Sequence, residues 1–346
     1  MSLPGSLPTS RVPEPSTAPS IRWGILAPGW IARQFASALA GMTTQRIVAV
    51  GSRSLERAQQ FAAETGVENA YGSYAELVGD PRVQAVYVAS PHSEHAALAL
   101  LAIEAGKHVL VEKPFARNAD EARRVVQAAR SRGVTLMEAM WTRFLPRTDI
   151  VRQLLEDGVL GELQTTIGDH GQPIWHIERM QRLDLAGGAL LDLGVYPVSY
   201  THFVLGRPGS IVATGELTDT GVDRQVAAVL TDFPDHPHAR ALVSTNMGAK
   251  TPTTFAIAGS AARVELDAEF YAPGRVRLVT PDGSAVVSPP DVVAGHYGLA
   301  YEAAHFASLV ADGYPESPTL PLDDTVAILE TMDEIRAQVG VRYPGE

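Results

Sequence analysis

The alternation of apolar runs with helix-forming stretches between residues 21 and 140 constrains this fold more than any other feature. The apolar runs cover residues 21–27, 46–51, 84–89, 108–111 and 134–137, and helix-forming stretches at 30–39, 55–65, 94–105 and 120–131 lie between them. Continuous apolar strands are buried on both faces, and intervening helices imply a parallel sheet. The pattern predicts a doubly wound α/β domain that binds its ligand beyond the carboxyl ends of the strands.

Length and composition exclude several classes of protein. The 346 residues suffice for about two domains at ~150 residues each. Asp and Glu outnumber Lys and Arg by 39 to 28, which gives a net charge of −11. An acidic chain is a poor counterion for a phosphate backbone, so no nucleic-acid partner is expected. The absence of cysteine excludes disulfides, thiol nucleophiles and iron–sulfur clusters.

Residues 1–20 are rich in proline and serine and contain no apolar run. We therefore expect a flexible tail rather than a secretory signal, which needs an apolar core. No run of about 18 apolar residues occurs in the chain, so no membrane partner is expected. Cytoplasm is the default compartment under these expectations.

The turn after the first apolar run carries a small-residue motif. The stretch Ala27-Pro28-Gly29-Trp30-Ile31-Ala32 matches G-x-G-x-x-G/A, with alanine in place of the first glycine. Gly29 allows a pyrophosphate to approach the backbone, and the helix N-terminus at Trp30 and Ile31 favours an anion. Because packing turns between strand and helix have similar sequences, only the strand–turn–helix context makes dinucleotide binding the preferred interpretation.

The residues after the second run favour NADP over NAD. An NAD site carries Asp or Glu at this point, whereas this chain has Ser52-Arg53-Ser54-Leu55-Glu56-Arg57. Arg53 and Arg57 are four residues apart, so both guanidiniums can face one side of the helix start. Together with the Ser52 hydroxyl they suit a 2′-phosphate. Alternatively, Arg57 is a solvated helix residue paired with Glu56 or another acid.

Residues suited to nucleotide contact also follow the third run, namely Ser90, Pro91, His92 and His95. The spacing of the two histidines could suggest metal ligands. However, they open a helix at a strand end, where a nucleotide contact is the simpler interpretation, and no H-E-x-x-H spacing occurs. No metal site is therefore predicted.

The fourth run ends in Glu112-Lys113-Pro114. A lysine at the end of a buried strand loses hydration, and the following proline restricts Lys113 to an extended conformation. We interpret Lys113 as a cation beside a reacting alcohol. The alternative is a lysine that reaches solvent and pairs with Glu112.

Asp192 and Tyr196 lie four residues apart in a helical stretch that follows Gly187-Gly188 and ends at Gly206. Removal of hydride from a carbinol requires a base for the hydroxyl proton. The pKa of free tyrosine, about 10, is too high, but a lysine and an oxidised nicotinamide would stabilise tyrosinate. Tyr196 and Lys113 are thus a sensible acid/base pair, and Asp192 could bind a substrate hydroxyl or hold Lys113. A core helix with one amphipathic tyrosine is the alternative.

The motifs resemble those of the Gfo/Idh/MocA oxidoreductases. The resemblance rests on the small-residue turn, on E-K-P at Glu112 to Pro114 and on D-x-G-x-Y at Asp192 to Tyr196. Residues 137–144 and 187–197 are similar to one subgroup, the dimeric dihydrodiol dehydrogenases and NADP-dependent D-xylose dehydrogenases. The resemblance extends from about Trp23 to Pro344.

The resemblance implies a Rossmann domain over residues 21–144 and a substrate-binding and oligomerisation domain over 145–346 with a large open, mostly antiparallel sheet. Stretches at 211–216, 225–232, 239–245 and 263–266 fit its strands, and 297–312 and 322–338 fit its helices. It further implies that Lys113 and Tyr196 act at the reacting hydroxyl, accompanied by Asp192. Arg53 and Arg57 would bind the phosphate, and Trp141 and Arg143 would line the nicotinamide end. A homodimer or higher homo-oligomer is also implied.

We therefore expect NADP-dependent hydride transfer at a secondary or anomeric hydroxyl of a small-molecule sugar or cyclic diol. A dinucleotide-binding regulator without catalysis and a glycosidase that uses transient oxidation are the alternatives. A loop around Pro173 is expected near the cleft, with candidate pocket residues Asp169, His170, Trp175, His176, Arg179 and Arg182.

Overall fold

The computed structural model describes residues 5–346, and Met1–Pro4 of the expected tail lie outside the described residues. The chain forms two compact units. The parallel-sheet unit contains Pro13–Phe144 and Gly295–Val326, and the open-sheet unit contains residues 5–12, Leu145–Ala294 and Ala327–Glu346.

The strands and helices of residues 5–346 are numbered in chain order. The strands are β1 Arg22–Leu26, β2 Arg46–Gly51, β3 Asn69–Tyr71, β4 Ala85–Val88, β5 His108–Glu112, β6 Leu136–Ala139, β7 Leu163–Gly171, β8 Ser210–Leu217, β9 Asp223–Thr231, β10 Arg240–Asn246, β11 Phe255–Gly259, β12 Arg263–Leu266, β13 Arg277–Val279 and β14 Ala285–Val287. The helices are α1 Trp30–Met42, α2 Leu55–Thr65, α3 Tyr74–Gly79, α4 His95–Glu104, α5 Ala119–Arg132, α6 Pro146–Glu156, α7 Val195–Leu205, α8 Leu299–Asp312 and α9 Leu322–Val339.

The parallel-sheet unit contains the doubly wound sheet that the apolar runs predict. Strands β1–β6 pair in the order β3-β2-β1-β4-β5-β6, and all neighbours are parallel. Strands β4 and β6 are buried along their whole length because both faces of the sheet are covered. The strand order reverses between β1 and β4, so the carboxyl ends of these strands mark the expected ligand site.

Local capping explains where the helices of this unit begin and end. Ser54 and Asn118 accept hydrogen bonds from Arg57 and Glu121 at the starts of α2 and α5. Gly66 and Gly133 end the same helices in the left-handed conformation. The helices predicted at 55–65 and 120–131 are thereby confirmed.

The open-sheet unit contains one large sheet with the order β14-β13-β12-β11-β7-β10-β9-β8. Strands β7 and β10 are parallel, and the other neighbouring pairs are antiparallel. Burial alternates along β9 and β10, and α7 packs on the buried face. This confirms the expected α/β fold with a large, mostly antiparallel open sheet.

The division of the chain differs from a single boundary at residue 144. Gly295–Val326 belongs to the parallel-sheet unit, because α8 packs on α1 and places Phe306 5.3 Å from the Trp23 ring. Residues 5–20 were expected to belong to a flexible tail, but Leu7 in this segment is buried. Within the open-sheet unit, the backbone N–H of Arg11 donates to Asp149 at 2.7 Å.

Candidate active site

The turn after β1 combines a left-handed residue with an open helix N-terminus. Ala27 has a φ of 65°, the conformation that glycine adopts most readily. Gly29 is the N-cap of α1, and it offers no side chain to cap the helix. A Cβ on Gly29 would come no closer than 3.9 Å to atoms beyond the flanking residues. The backbone therefore faces open space at a helix N-terminus, an arrangement suited to a pyrophosphate.

The start of α2 presents the two predicted arginines. Ser54 caps the helix, and the buried Ser52 accepts the Ser54 N–H at 3.2 Å through its Oγ. The Arg53 guanidinium lies near Tyr74, whose pKa is raised by burial and lowered to a smaller extent by the Arg53 charge. Arg57 is exposed and forms no ion pair with residues 5–346, so its proposed pairing with an acid is not observed there.

The end of β4 holds both predicted histidines, and both are buried. Nδ1 of His95 lies 2.7 Å from the carbonyl oxygen of Pro114, and Nε2 lies 2.9 Å from that of Ser90. Burial and the neighbouring His92 lower the pKa of His95 to about 3, so its ring is neutral. His95 thus connects the loop after β4 to the E-K-P turn, and its direct nucleotide contact stays a prediction.

Two hydroxyls in the loop after β4 have unused hydrogen-bonding capacity. The Oγ atoms of Ser90 and Ser93 are buried and have no hydrogen-bond partner among residues 5–346. Buried polar atoms are ordinarily satisfied. Together with the open backbone at Gly29 and the exposed Arg57, these atoms fit a dinucleotide along the carboxyl ends of β1, β2 and β4.

The E-K-P turn contains a cis Lys113–Pro114 peptide bond, and its backbone is held by two carboxylates. Glu112 is buried at the end of β5, where it accepts the Lys113 N–H at 3.0 Å and the Tyr87 hydroxyl hydrogen bond. Glu138 of β6 accepts the Phe115 N–H at 3.1 Å. The backbone N–H groups of Lys113 and Phe115, on either side of the proline, are therefore both hydrogen-bonded. These bonds fix the backbone at Lys113.

An aromatic row lies at the same edge of the parallel sheet. The Trp141 ring stacks on His296 with centroids 5.6 Å apart, and His296 meets the Trp30 ring edge-on at 4.9 Å. Trp30 is 63% exposed, whereas Arg143 is buried and donates to the Thr319 carbonyl at 3.4 Å. His296 was not predicted from the sequence, because it follows the last strand of the other unit and belongs to no motif.

In the open-sheet unit, D-x-G-x-Y begins in a π-helical turn rather than in a regular α-helix. Asp192 lies in the turn Leu190–Gly194, and Tyr196 lies in the first turn of α7. Asp223 accepts the Leu190 N–H at 2.6 Å and so holds the start of this segment. A Cβ on Gly188, whose φ is 115°, would come 2.2 Å from Asp223 Oδ1. Because a π-helical turn is wider than an α-helical turn, Asp192 and Tyr196 do not have the regular α-helical spacing that the sequence suggested.

Tyr196 packs in a cluster of rings within this unit. Its centroid lies 5.3 Å from that of His170 and 4.7 Å from that of Tyr271. Gln172 Nε2 donates to the Tyr271 hydroxyl at 2.8 Å and lies 2.9 Å from His170 Nε2, while His170 Nδ1 lies 3.1 Å from the Leu193 carbonyl. With donation from Nδ1 and acceptance at Nε2, neutral His170 satisfies both contacts. Gln172 and Tyr271 belong to no motif and were not predicted from the sequence.

Asp192 is buried and forms an ion pair with Arg179 at 3.1 Å. Among the other candidate pocket residues, Asp169 and His170 lie on β7 rather than in a loop. Asp169 accepts the N–H groups of Thr253 and Thr254, so its carboxylate is engaged in holding the backbone before β11. The position of both residues on β7 corrects the expectation of a loop at residues 169 and 170.

The remaining pocket candidates are less closely connected to Tyr196. Arg182 forms a surface ion pair with Asp184, Trp175 packs against the apolar cluster around Met180, and His176 is exposed.

In the part of the chain that the structure describes, no helix is long and apolar enough to cross a membrane. Among residues 5–346, no group of three or more His, Asp or Glu side chains could hold a metal ion.

Comparison with known proteins identifies the family. Residues 21–140 match the oxidoreductase family with an NAD-binding Rossmann fold, and residues 149–265 match the GFO/IDH/MocA C-terminal domain. The trans-1,2-dihydrobenzene-1,2-diol dehydrogenase of Mus musculus is 36% identical over 335 residues, which cover 94% of this chain and 98% of the relative. The Homo sapiens enzyme of the same name is 35% identical over 333 residues with the same coverage. This chain belongs to the Gfo/Idh/MocA family.

Solved structures agree with this assignment. KijD10, a 3-ketoreductase from Actinomadura kijaniata in complex with NADP and TDP-benzene, has a TM-score of 0.82 and 29% identity, covering 93% of this chain and 98% of that one. A levoglucosan dehydrogenase in complex with NADH and levoglucosan has a TM-score of 0.84 at 20% identity, covering 93% and 98%, and supports the fold alone. The family and fold predicted from E-K-P and D-x-G-x-Y are confirmed, as is the assignment to nicotinamide-dependent dehydrogenases.

Proposed function

We propose that this Gfo/Idh/MocA protein is an oxidoreductase that prefers NADP and transfers a hydride between nicotinamide and a hydroxyl-bearing carbon of a cyclic diol or an aldose. The observation that carries the proposal is similarity over nearly the whole chain to trans-1,2-dihydrobenzene-1,2-diol dehydrogenases, with E-K-P and D-x-G-x-Y both present. The similarity covers 94% of this chain, so it includes both of the motifs that the proposed chemistry requires.

The proposed roles follow from the chemistry of each side chain. Tyr196 takes the hydroxyl proton in oxidation and returns it in reduction, and Lys113 supplies a cation that favours tyrosinate. Asp192, held by Arg179, orients a substrate hydroxyl. The bound nicotinamide would accept or supply the hydride. The ring cluster of His170 and Tyr271 around Tyr196 restricts the motion of its phenol.

NADPH formation with trans-1,2-dihydrobenzene-1,2-diol and D-xylose tests the proposal. We expect turnover with at least one of these alcohols. We expect Tyr196→Phe and Lys113→Ala each to lower kcat by about 10²-fold or more, because the first removes the proton-transfer group and the second removes the cation that favours tyrosinate. Tight NADP binding without turnover on any diol or aldose would instead favour a regulator. Wild-type kcat in Tyr196→Phe would remove Tyr196 from the mechanism.

A second copy of this chain is the proposed macromolecular partner. Ile167, Leu242, Val229 and Val212 are in register on β7, β10, β9 and β8, and all four side chains are exposed. They form a continuous apolar row across four neighbouring strands on the face opposite α7. Exposed apolar rows of this kind are typical of protein interfaces.

A further inference from the structure

The E-K-P turn receives a carboxylate from a neighbouring strand as well as its own. Glu112 accepts the Lys113 N–H at 3.0 Å, and Glu138 accepts the Phe115 N–H at 3.1 Å. Pro114 lies between Lys113 and Phe115 and has no N–H, so both backbone donors of residues 113–115 are hydrogen-bonded. The Pro114 carbonyl lies 2.7 Å from His95 Nδ1.

Glu138 is itself fixed on both sides. It lies on β6 opposite Val111 of β5, is buried, and accepts a second hydrogen bond from the Thr325 hydroxyl at 3.1 Å. Both carboxylate oxygens therefore have a defined partner, one in the turn and one at the start of α9. A buried N–H that loses its acceptor destabilises the fold, so the Glu138 oxygen is needed to hold the Phe115 N–H.

We propose that Glu138 is a positioning residue for Lys113, fixing the backbone from which the ammonium projects through the Phe115 N–H. This inference rests on the proposed role of Lys113 in the reaction. Glu138 does not have to touch substrate or cofactor for this role. Displacement of a reacting group by about 1 Å can lower a rate by about 10²-fold, so a loosened turn is expected to reduce kcat.

The variants Glu138→Leu and Glu138→Gln separate the hydrogen bond from the volume of the side chain. Leucine removes both acceptors, whereas the glutamine amide still offers an oxygen to Phe115 and a donor to Thr325. Glu121→Leu is the matched control, because Glu121 is also buried and accepts the backbone N–H of Arg117 at 3.1 Å in the same unit. The full-length protein is used throughout, with trans-1,2-dihydrobenzene-1,2-diol and NADP.

We expect kcat to fall at least about tenfold in Glu138→Leu and to stay within about threefold of wild type in Glu138→Gln and Glu121→Leu. We further expect Glu138→Leu to have no additional effect in a Lys113→Ala background, because a residue acting through Lys113 is coupled to it. Hydrogen exchange of a peptide covering residues 112–116 should be faster in Glu138→Leu than in Glu138→Gln.

Additive losses of kcat in the double variant, or equal exchange of residues 112–116 in the two Glu138 variants, would overturn the inference. If Glu138→Leu does not fold, Thr325→Val replaces it, with an expected loss of about two- to fivefold in kcat and faster local exchange. Unchanged kcat and unchanged exchange in Thr325→Val would also overturn it. A Lys113→Ala protein with wild-type kcat would contradict the proposed function instead, while the exchange measurement would still decide whether Glu138 holds the turn.

Discussion

At the scale of single residues, two glycines close to the first turn have opposite surroundings. A Cβ on Gly29 would project into open space, whereas a Cβ on Gly24 of β1 would come 2.8 Å from Leu77 Cδ2 and 3.0 Å from Val83 Cγ1. The open space at Gly29 lies at the N-terminus of α1, where a pyrophosphate is expected to bind. We therefore propose that Gly29 serves cofactor binding, whereas Gly24 is needed for packing.

This contrast predicts the behaviour of two alanine variants. Gly29→Ala should raise the NADP Kd about tenfold or more while changing the free energy of unfolding by less than about 1 kcal/mol. Gly24→Ala should lower the free energy of unfolding by about 1–3 kcal/mol, because its methyl group overpacks the core. Fluorescence titration with NADP and urea unfolding measure the two quantities. Unchanged NADP affinity in Gly29→Ala would place the pyrophosphate elsewhere.

Two buried carboxyl groups make stability depend on pH. Neither oxygen of the fully buried Glu302 has a hydrogen-bond partner among residues 5–346. Burial, together with the charges of Glu112 and Glu138, raises the pKa of Glu302 well above its ordinary value. Burial also raises the pKa of Glu138 to about 7. Both groups hold their protons more tightly in the folded chain than in the unfolded chain.

The stability from these groups is present below about pH 4.5 and is lost as the pH rises through the folded-state pKa values. For Glu138 the loss is on the order of 3 kcal/mol between about pH 4.5 and pH 8. We expect the free energy of unfolding to fall between about pH 5.5 and 8.5, and to fall less in Glu302→Gln. Urea unfolding at both pH values tests this, with the exposed Glu104→Gln as the control. Parallel pH dependence in wild type and Glu302→Gln would show that Glu302 does not titrate in this range.

At the scale of elements, the start of α2 is expected to set cofactor preference. Arg53 and Arg57 flank the N-cap Ser54, and the exposed Arg57 has no acidic partner among residues 5–346. The double variant Arg53→Ala/Arg57→Ala should raise the Kd for NADP about 10- to 100-fold and leave that for NAD within about threefold, because only NADP carries the 2′-phosphate. Arg124→Ala, at an exposed position on α5, serves as the control. Equal losses for both dinucleotides would contradict the assignment.

The same elements show which parts of the fold could be predicted. Helix α2 was predicted at its observed bounds because its residues are strong helix formers and Gly66 is a local stop signal. Strands β13 and β14 have only three residues each, and β11 pairs with β7, which is distant in sequence, so no local pattern indicated these strands. In the site, the motif residues could be found from the sequence. Gln172, His296 and Glu138 could not be assigned roles, because their contacts form only when the units fold.

At the scale of the whole molecule, each unit is assembled from separated stretches of chain. Gly295–Val326 returns to the parallel-sheet unit and supplies α8, whose Phe306 packs against Trp23. No local pattern signals such a return, since 297–312 has an ordinary helical sequence. In contrast, three of the four strands that carry the apolar row of the open sheet, β8, β9 and β10, follow one another directly in the chain.

That row predicts the assembly of the protein. Val229 and Leu242 are opposite each other on β9 and β10 in its centre, so Val229→Lys/Leu242→Lys places two charges in the proposed interface. Light scattering after size exclusion should give wild type twice the chain mass of 36.9 kDa and the variant 36.9 kDa. Val292→Lys, at an exposed position outside the strands, should remain dimeric. Because the charges lie on the face opposite α7, the isolated variant should keep its fold, and a variant that still has twice the chain mass would exclude this face as the interface.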